Sequence, residues 1–303
     1  MLCIHAPRRL LAAALLALAL LAFAFPAGRS APDGSAQISF IDVGQGDAAL
    51  LQDSLGTDIL IDGGPSAAGP GVVAYLRSHT DHAIDVILVT HADADHAGGL
   101  VSVLQASDLS VGALYYNGYP GSTQTWANLA SQAAARGLAL QPAHFPAEYA
   151  WGEFDVYILN PAPGLANPEQ NDASVVARID FHSSRLLFPG DIGAQVEAAV
   201  IARQTPVAAD VLKVAHHGSA TSSSAAFLAA VQPDYAVISV GKNSYGHPAP
   251  ATLTRLADAG AQIWRTDQAG TILVTSDGLS LRFPNQPGFW LFMPSLAASA
   301  SLP

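Results

Sequence analysis

The run His91-Ala92-Asp93-Ala94-Asp95-His96 places two imidazoles and two carboxylates within six residues. Mixed nitrogen and oxygen donors of this kind suit zinc, manganese or iron. Carboxylates this close repel one another unless a cation lies between them. His91, Asp93 and Asp95 alternate, so extended backbone would aim them one way and turn His96 aside. Two further donor groups stand much later: Asp191 after Phe188-Pro189-Gly190, and His216-His217 after Lys213-Val214-Ala215. One carboxylate can bridge two cations about 3.5–4 Å apart. The expected sets are therefore His91, Asp93 and Asp191 for one ion, and Asp95, His96, Asp191 and His217 for the other.

Each donor group follows an apolar run that reads as a strand. Asp85-Val86-Ile87-Leu88-Val89 precedes the first loop, Arg185-Leu186-Leu187-Phe188 precedes Asp191, and Val211 to Ala215 precedes the histidine pair. Earlier come strands at 37–43, 48–52 and 58–61 and a helix over 71–79. Later segments read as a helix from Leu100, a strand at 112–116, a helix over 123–136 and strands at 153–159 and 174–181. Helices over 194–203, 222–231 and 251–259 follow, with strands at 235–240, 263–265 and 271–275. Hairpin strands followed by strand–helix alternation, in both halves, predict two mixed sheets face to face with helices outside, a four-layer αββα sandwich.

The chain has 303 residues, half of them hydrophobic and only 12% charged, which is enough for a sizeable core. A net charge of −11 argues against a broad basic face for duplex DNA. It leaves room for a nucleic-acid substrate held at bound metal, since metal charge is missing from that sum. The only cysteine is Cys3, so thiolate metal sites and disulfides are not expected in the folded part. Residues 1–24 read as an export signal, with Arg8-Arg9 before the apolar run Leu10 to Leu21 and Ala22-Phe23-Ala24 as a cleavage pattern. The catalytic part is expected outside the cytoplasm, periplasmic or extracellular, with an uncleaved N-terminal membrane anchor as the alternative. Residues 25–35 read as a linker, 36–284 as the metal-bearing folded domain and 285–303 as an apolar, turn-rich tail. No segment implies a protein partner.

These motifs resemble a known family. His91-x-Asp93-x-Asp95-His96, Gly190-Asp191 and His216-His217-Gly218-Ser219 look like the metallo-β-lactamase fold. Ile41-Asp42-Val43-Gly44-Gln45-Gly46-Asp47, Ile61-Asp62-Gly63-Gly64, Leu212-Lys213-Val214-Ala215-His216-His217-Gly218-Ser219 and Asn243-x-Tyr245-Gly246-His247-Pro248 are similar to the hydrolase domain of ComEC-type DNA-uptake proteins. Asp93 stands where the fold usually has a second histidine, which tilts the site toward manganese or zinc. Asn171-Asp172-Ala173-Ser174 stands where the fold supplies another histidine, so Asn171 or Asp172 would complete that site, or a single cation would suffice. The long apolar run is N-terminal, so the membrane channel of full-length ComEC proteins is not expected here.

The resemblance implies two divalent ions, zinc or manganese, and hydrolysis without a serine or cysteine nucleophile. A divalent metal lowers the pKa of bound water from ~15.7 to about 7. Hydroxide held by Asp95 and Asp191 would then attack phosphorus in a phosphodiester, nucleic acid included. His217 is favoured over His216 as ligand, with His216 facing a substrate phosphate or giving a proton. Lys242, Tyr245 and His247 are expected at the cleft, His247 in a catalytic role. Asp42, Gln45 and Asp47 either line the same mouth or fix a turn. Asp62 is expected to buttress the metal loop. Hydrolysis of small esters, lactones, β-lactams or phosphorylcholine groups is the alternative activity, and a non-catalytic DNA-uptake accessory is the alternative class.

Overall fold

The computed structural model describes residues 34–165 and 168–283. Two mixed sheets dominate them. The first has eight strands, in the order Leu281–Arg282, Ile272–Ser276, Ala36–Phe40, Ala49–Gln52, Asp58–Ile61, Ala83–Val89, Ser110–Tyr116 and Leu140–Pro142. The second has seven, in the order Gln262–Arg265, Tyr235–Ile238, Val211–Lys213, Ser184–Phe188, Val176–Phe181, Phe154–Asn160 and Ala147–Trp151. In each sheet an antiparallel meander passes into parallel strands joined through helices.

Alternation along the strands explains the layering. In Asp58–Ile61, Ile59 and Ile61 point between the sheets while Leu60 points to the helices. In Ser184–Phe188, Leu186 and Phe188 point between the sheets and Leu187 outward. Three apolar layers result: one between the sheets, one under Gly69–His79, Leu100–Gln105 and Gln124–Ala135, and one under Ala194–Ala202, Ala225–Val231 and Pro250–Asp258. Each fully buried Ile, Leu or Phe contributes about 1.5–3 kcal/mol, so the sandwich is held mainly by these layers. The expected αββα architecture is observed.

The structure adds elements that periodicity did not mark. Leu140–Pro142 and Ala147–Trp151 are edge strands, the first only three residues long and without alternation, the second preceded by Pro146 and alternating in burial though its sequence, with alanine at the exposed position 150, does not announce it. Leu281–Arg282 was not marked either; it pairs with the expected strand Ile272–Ser276, which returns to the first sheet beside Ala36–Phe40. The expected signal segment, most of the linker and the apolar tail lie outside the described residues. Among the described residues, no helix is long and apolar enough to cross a membrane.

The parallel halves decide where chemistry can occur. Ile61, Val89, Phe188, Lys213 and Ile238 all end parallel or neighbouring strands, and the loops after them converge at one edge of the sandwich. Ligands of open α/β sheets bind outside the carboxyl ends of strands for the same reason.

Candidate metal centre

The first-sheet loop does not stay extended. Asp93 is extended, but the short helix Ala94–Ala97 begins directly after it, with Ala97 N donating to Asp93 O at 2.8 Å. The expected common direction of His91, Asp93 and Asp95 is therefore corrected. Asp93 leans toward His91 (Oδ2 to Nε2, 3.6 Å) and stays 41% exposed, while Asp95 reaches across to His217 Nε2 at 3.2 Å. His96 is turned inward, not aside. Its Nε2 lies 3.3 Å from Asp191 Oδ1, and its ring sits between those of His91 (4.1 Å) and His217 (5.3 Å).

Each imidazole is held from behind. His96 Nδ1 donates to Asp62 Oδ2 at 2.8 Å, and His217 Nδ1 to Ser239 O at 2.9 Å. His91 Nδ1 lies 3.1 Å from Thr90 Oγ1, a hydroxyl already donating to Asp62 Oδ2 at 2.7 Å. Asp62 Oδ1 also accepts Thr90 N at 2.8 Å, so this carboxylate does buttress the loop. Fixing Nδ1 as the protonated nitrogen leaves every Nε2 with a lone pair aimed inward. Asp191 is supported in turn by Ser174 Oγ, which accepts its backbone N–H at 3.1 Å.

That arrangement is a fit test for a cation. The Nε2 atoms of His91, His96 and His217 and Asp191 Oδ1 are all buried without a hydrogen-bond partner. Among the described residues four donor groups come together: His91, His96 and Asp191, and Asp95, His96 and His217, at the inward Nε2 atoms, and two that include Asp47, with Asp62 and His96 and with Asp191 and His217. Nitrogen and carboxylate donors at this density suit a divalent ion. Asp191 lies against His96 and His217 alike (3.3 and 3.5 Å), which puts it between the first two groups.

Electrostatics tells the same story. Burial would push the His96 imidazolium down, yet Asp191, Asp62 and Asp47 raise it well above its ordinary value. His217 goes up to about 9, burial being outweighed by Asp191 and Asp47. Burial would raise Asp191, but His96 and His217 hold it well below the usual carboxylate range. Protons on the imidazoles thus do among these carboxylates what a cation would do.

A family model described as the metallo-beta-lactamase superfamily matches residues 41–242. The chain belongs to this superfamily. Competence protein ComA of Neisseria gonorrhoeae is 31% identical over 244 residues, 80% of this chain and 32% of that protein. ComE operon protein 3 of Bacillus subtilis (strain 168) is 27% identical over 277 residues, 85% of this chain and 34% of that protein. The chain thus spans about a third of the length of these curated relatives. Among solved structures, the metallo-beta-lactamase fold protein YhfI from Bacillus subtilis aligns with a TM-score of 0.54 at 12% identity, covering 80% of this chain and 100% of that one. CmlA, a diiron beta-hydroxylase from Streptomyces venezuelae, aligns at 0.52 and 15% identity, covering 80% and 54%. At these identities the likeness shows the fold alone. A metallo-beta-lactamase fold similar to competence proteins, with divalent metal binding, is what the motifs implied.

The rest of this superfamily site sorts into rim and floor. An open cleft of about 180 Å³ is lined by Gln45, Asp93, Asp95, Asn171, Asp191, His216, His217, Tyr245 and His247. Asn171 lines it, but Asp172 does not; its Oδ1 lies 3.8 Å from where a Cβ on Gly193 would stand. Lys242 is exposed and outside the lining, contrary to expectation. The reason is a clasp: Asn243 Nδ2 donates to Gly241 O and His247 O, and its Oδ1 accepts from Tyr245 N and His247 N, which points those two residues to the cleft. Tyr245 is 73% exposed, so it is not a core ring. Asp42 fixes its turn by accepting Gly44 N. Asp47 does not line the mouth; it is buried below, against Lys213 and His217. His79, His82, His144 and His182 lie elsewhere, each with a local partner.

Sequence reasoning missed Lys213 as a member of this site. It lies within a quoted motif, and a lysine ending a buried strand was the available signal. Ser174 and Ser239 were missed as supports, and their types alone carry no such signal.

Proposed function

We propose that this chain is a metal-dependent phosphodiesterase acting outside the cytoplasm, with nucleic acid among its substrates. The observation that carries the metal-dependent part is the inward convergence of three buried Nε2 atoms and Asp191 Oδ1 on one small space. His91, His96 and Asp191 would hold one cation and Asp95, His217 and Asp191 a second, with Asp93 at the rim. Asp191 lies against both His96 and His217, between the two donor groups, and that position supports two divalent ions over one. Zinc or manganese suits the mixed donors. Bound there, divalent ions supply Lewis acidity and water with a pKa near 7 rather than ~15.7.

The chain's own groups do the rest. Asp95 lines the cleft, and although burial would raise its carboxyl, His217 and His96 hold it down, so it stays ionised as a hydrogen-bond acceptor for an attacking water. Burial, with His217 and Lys213 nearby, keeps His216 below its ordinary value, and burial with His216 does the same for His247. At pH 7 both are neutral rings that can hydrogen-bond phosphate oxygens without repelling bound cations. A cleft of about 180 Å³ has room for a phosphodiester group, and the similarity to competence proteins favours nucleic acid over small esters. Export rests on Arg8-Arg9 and the apolar run after them.

The test measures zinc and manganese content and turnover of bis-nitrophenyl phosphate, single-stranded DNA, a phosphorylcholine ester and nitrocefin. Chelation or Asp191→Asn is expected to lower phosphodiester turnover by about 10²–10³-fold or more. Undiminished cleavage after chelation sinks the metal reading. Nitrocefin or carboxylic ester turnover without phosphodiester cleavage sinks the substrate reading.

A further inference from the structure

Asp47 and Lys213 stand behind the metal donors rather than among them. Asp47 closes the turn Gly44-Gln45-Gly46-Asp47 on the first sheet's side, and Lys213 ends the strand Val211–Lys213 of the second. They are 7% and 3% exposed, and their side chains form an ion pair that spans the two sheets. Lys213 Nζ is enclosed, with no hydrogen-bond partner beyond this pairing.

Asp47 touches both halves of the centre. Its Oδ1 lies 3.2 Å from His217 Nδ1 and its Oδ2 3.9 Å from His96 Nδ1. Asp191 lies on the Nε2 side of both rings, so Asp47 braces them from the opposite side. Its main chain grips the first-sheet loops as well: Asp47 N donates to Asp95 O at 3.0 Å, and Asp47 O accepts Gly64 N at 2.7 Å. Gly46 permits this approach, with a φ of 146° and a place where a Cβ would come within 2.4 Å of Asp95 O.

We infer that the Asp47–Lys213 pair is a positioning device that registers the two half-sites, setting the distance between Asp95 and His217 and hence the affinity for the cation. The inference rests on the metal-hydrolase reading and deepens it. Buried ion pairs seldom add net stability, because desolvation offsets the attraction. A pair that carries His217 on one arm and the Asp95 main chain on the other has a geometric role to fill. Residues that orient ligands from behind change cation affinity by 10–100-fold when removed.

The test uses the full chain with Lys213→Met, Asp47→Asn and both together. Zinc and manganese are titrated separately by calorimetry, and the metal-stripped proteins are melted alongside. Each single substitution is expected to weaken cation binding about 10–100-fold. The double variant should bind no worse than the weaker single, because both remove one shared interaction. Unchanged cation affinity beside a lower melting temperature would overturn the inference and leave a structural ion pair. Additive losses in the double variant would overturn it too. Should Lys213→Met not fold, the near-isosteric Asp47→Asn carries the test with the same outcomes. Failure of the unsubstituted chain to bind either ion overturns the metal-hydrolase reading itself, whereas normal binding by every variant overturns only the role of the pair.

Discussion

Two loops meet at the centre, and they hold their histidines in different ways. The loop after Val89 is locally relaxed: it enters a short helix at Ala94, and its ligand candidates lie within six residues of one another. The loop after Lys213 is strained, with His216 and His217 in left-handed backbone at φ 52° and 53°. Non-glycine residues there cost of order 1–3 kcal/mol each and persist only where surrounding contacts over-determine them. Those contacts are present: His216 N donates to Gly190 O, and His217 Nδ1 is tied to Ser239 O. Neighbours hold both loops, but only the second is forced by them into left-handed backbone.

The contrast can be tested from its strongest consequence to its weakest. Asp62→Asn removes the anion behind His96 and replaces one of the two oxygens that accept from Thr90 and His96 with an amide donor, so the relaxed loop should lose about 10–100-fold in zinc or manganese affinity, read by calorimetry. Preserved affinity would show that the loop orients its histidines without Asp62.

Both loops should show themselves in pH, since His96 and His217 are each raised above the ordinary imidazole value, and His217 sets a definite window. His217 has a folded-state pKa of about 9, raised above the ordinary 6.5, so its stabilising charge is complete below 6.5. That stabilisation is lost as pH rises from 6.5 through 9. Metal-stripped protein should therefore melt progressively lower across this window, and His217→Gln should flatten the slope. A metal-stripped melting temperature that stays level from pH 6.5 to 9 counts against the charged His217.

His216→Gly relieves one left-handed residue and should stabilise by up to ~1 kcal/mol, about 2–4 °C in Tm, while lowering turnover. Glycine at Ala94, where the backbone is helical, should give no such gain. Equal effects at the two positions would erase the distinction between the loops. Smallest is Tyr245→Ala at the exposed rim, with stability within about 0.5 kcal/mol and the change appearing in KM.

Local pattern made much of this molecule legible. The strand Ala83–Val89 and the His91–His96 cluster after it are set by neighbours a few residues away, so spacing sufficed to find them. The two-sheet sandwich followed from apolar alternation, while Leu140–Pro142 escaped because it is three residues long without it, and Ala147–Trp151 because Ala150 blurs in sequence an alternation that the fold shows. Asp93 and Asp95 were legible as donors but not in direction, because one helical turn after Asp93 parts them. In the loop 241–248 the choice of Tyr245 over Lys242 depended on the Asn243 clasp, which no periodicity announces.

Sequence by itself determined which chemistry was available: imidazoles and carboxylates without thiolates, at strand ends, in an acidic chain. Residue type and short-range spacing carry that information, since they set donor atoms and local backbone preference. Only the tertiary structure decided which nitrogen of each histidine faces inward and that Asp47 reaches Lys213 and His217 from the other sheet. Those outcomes depend on contacts between residues far apart in the chain, and packing two sheets against each other is what brings such residues into contact.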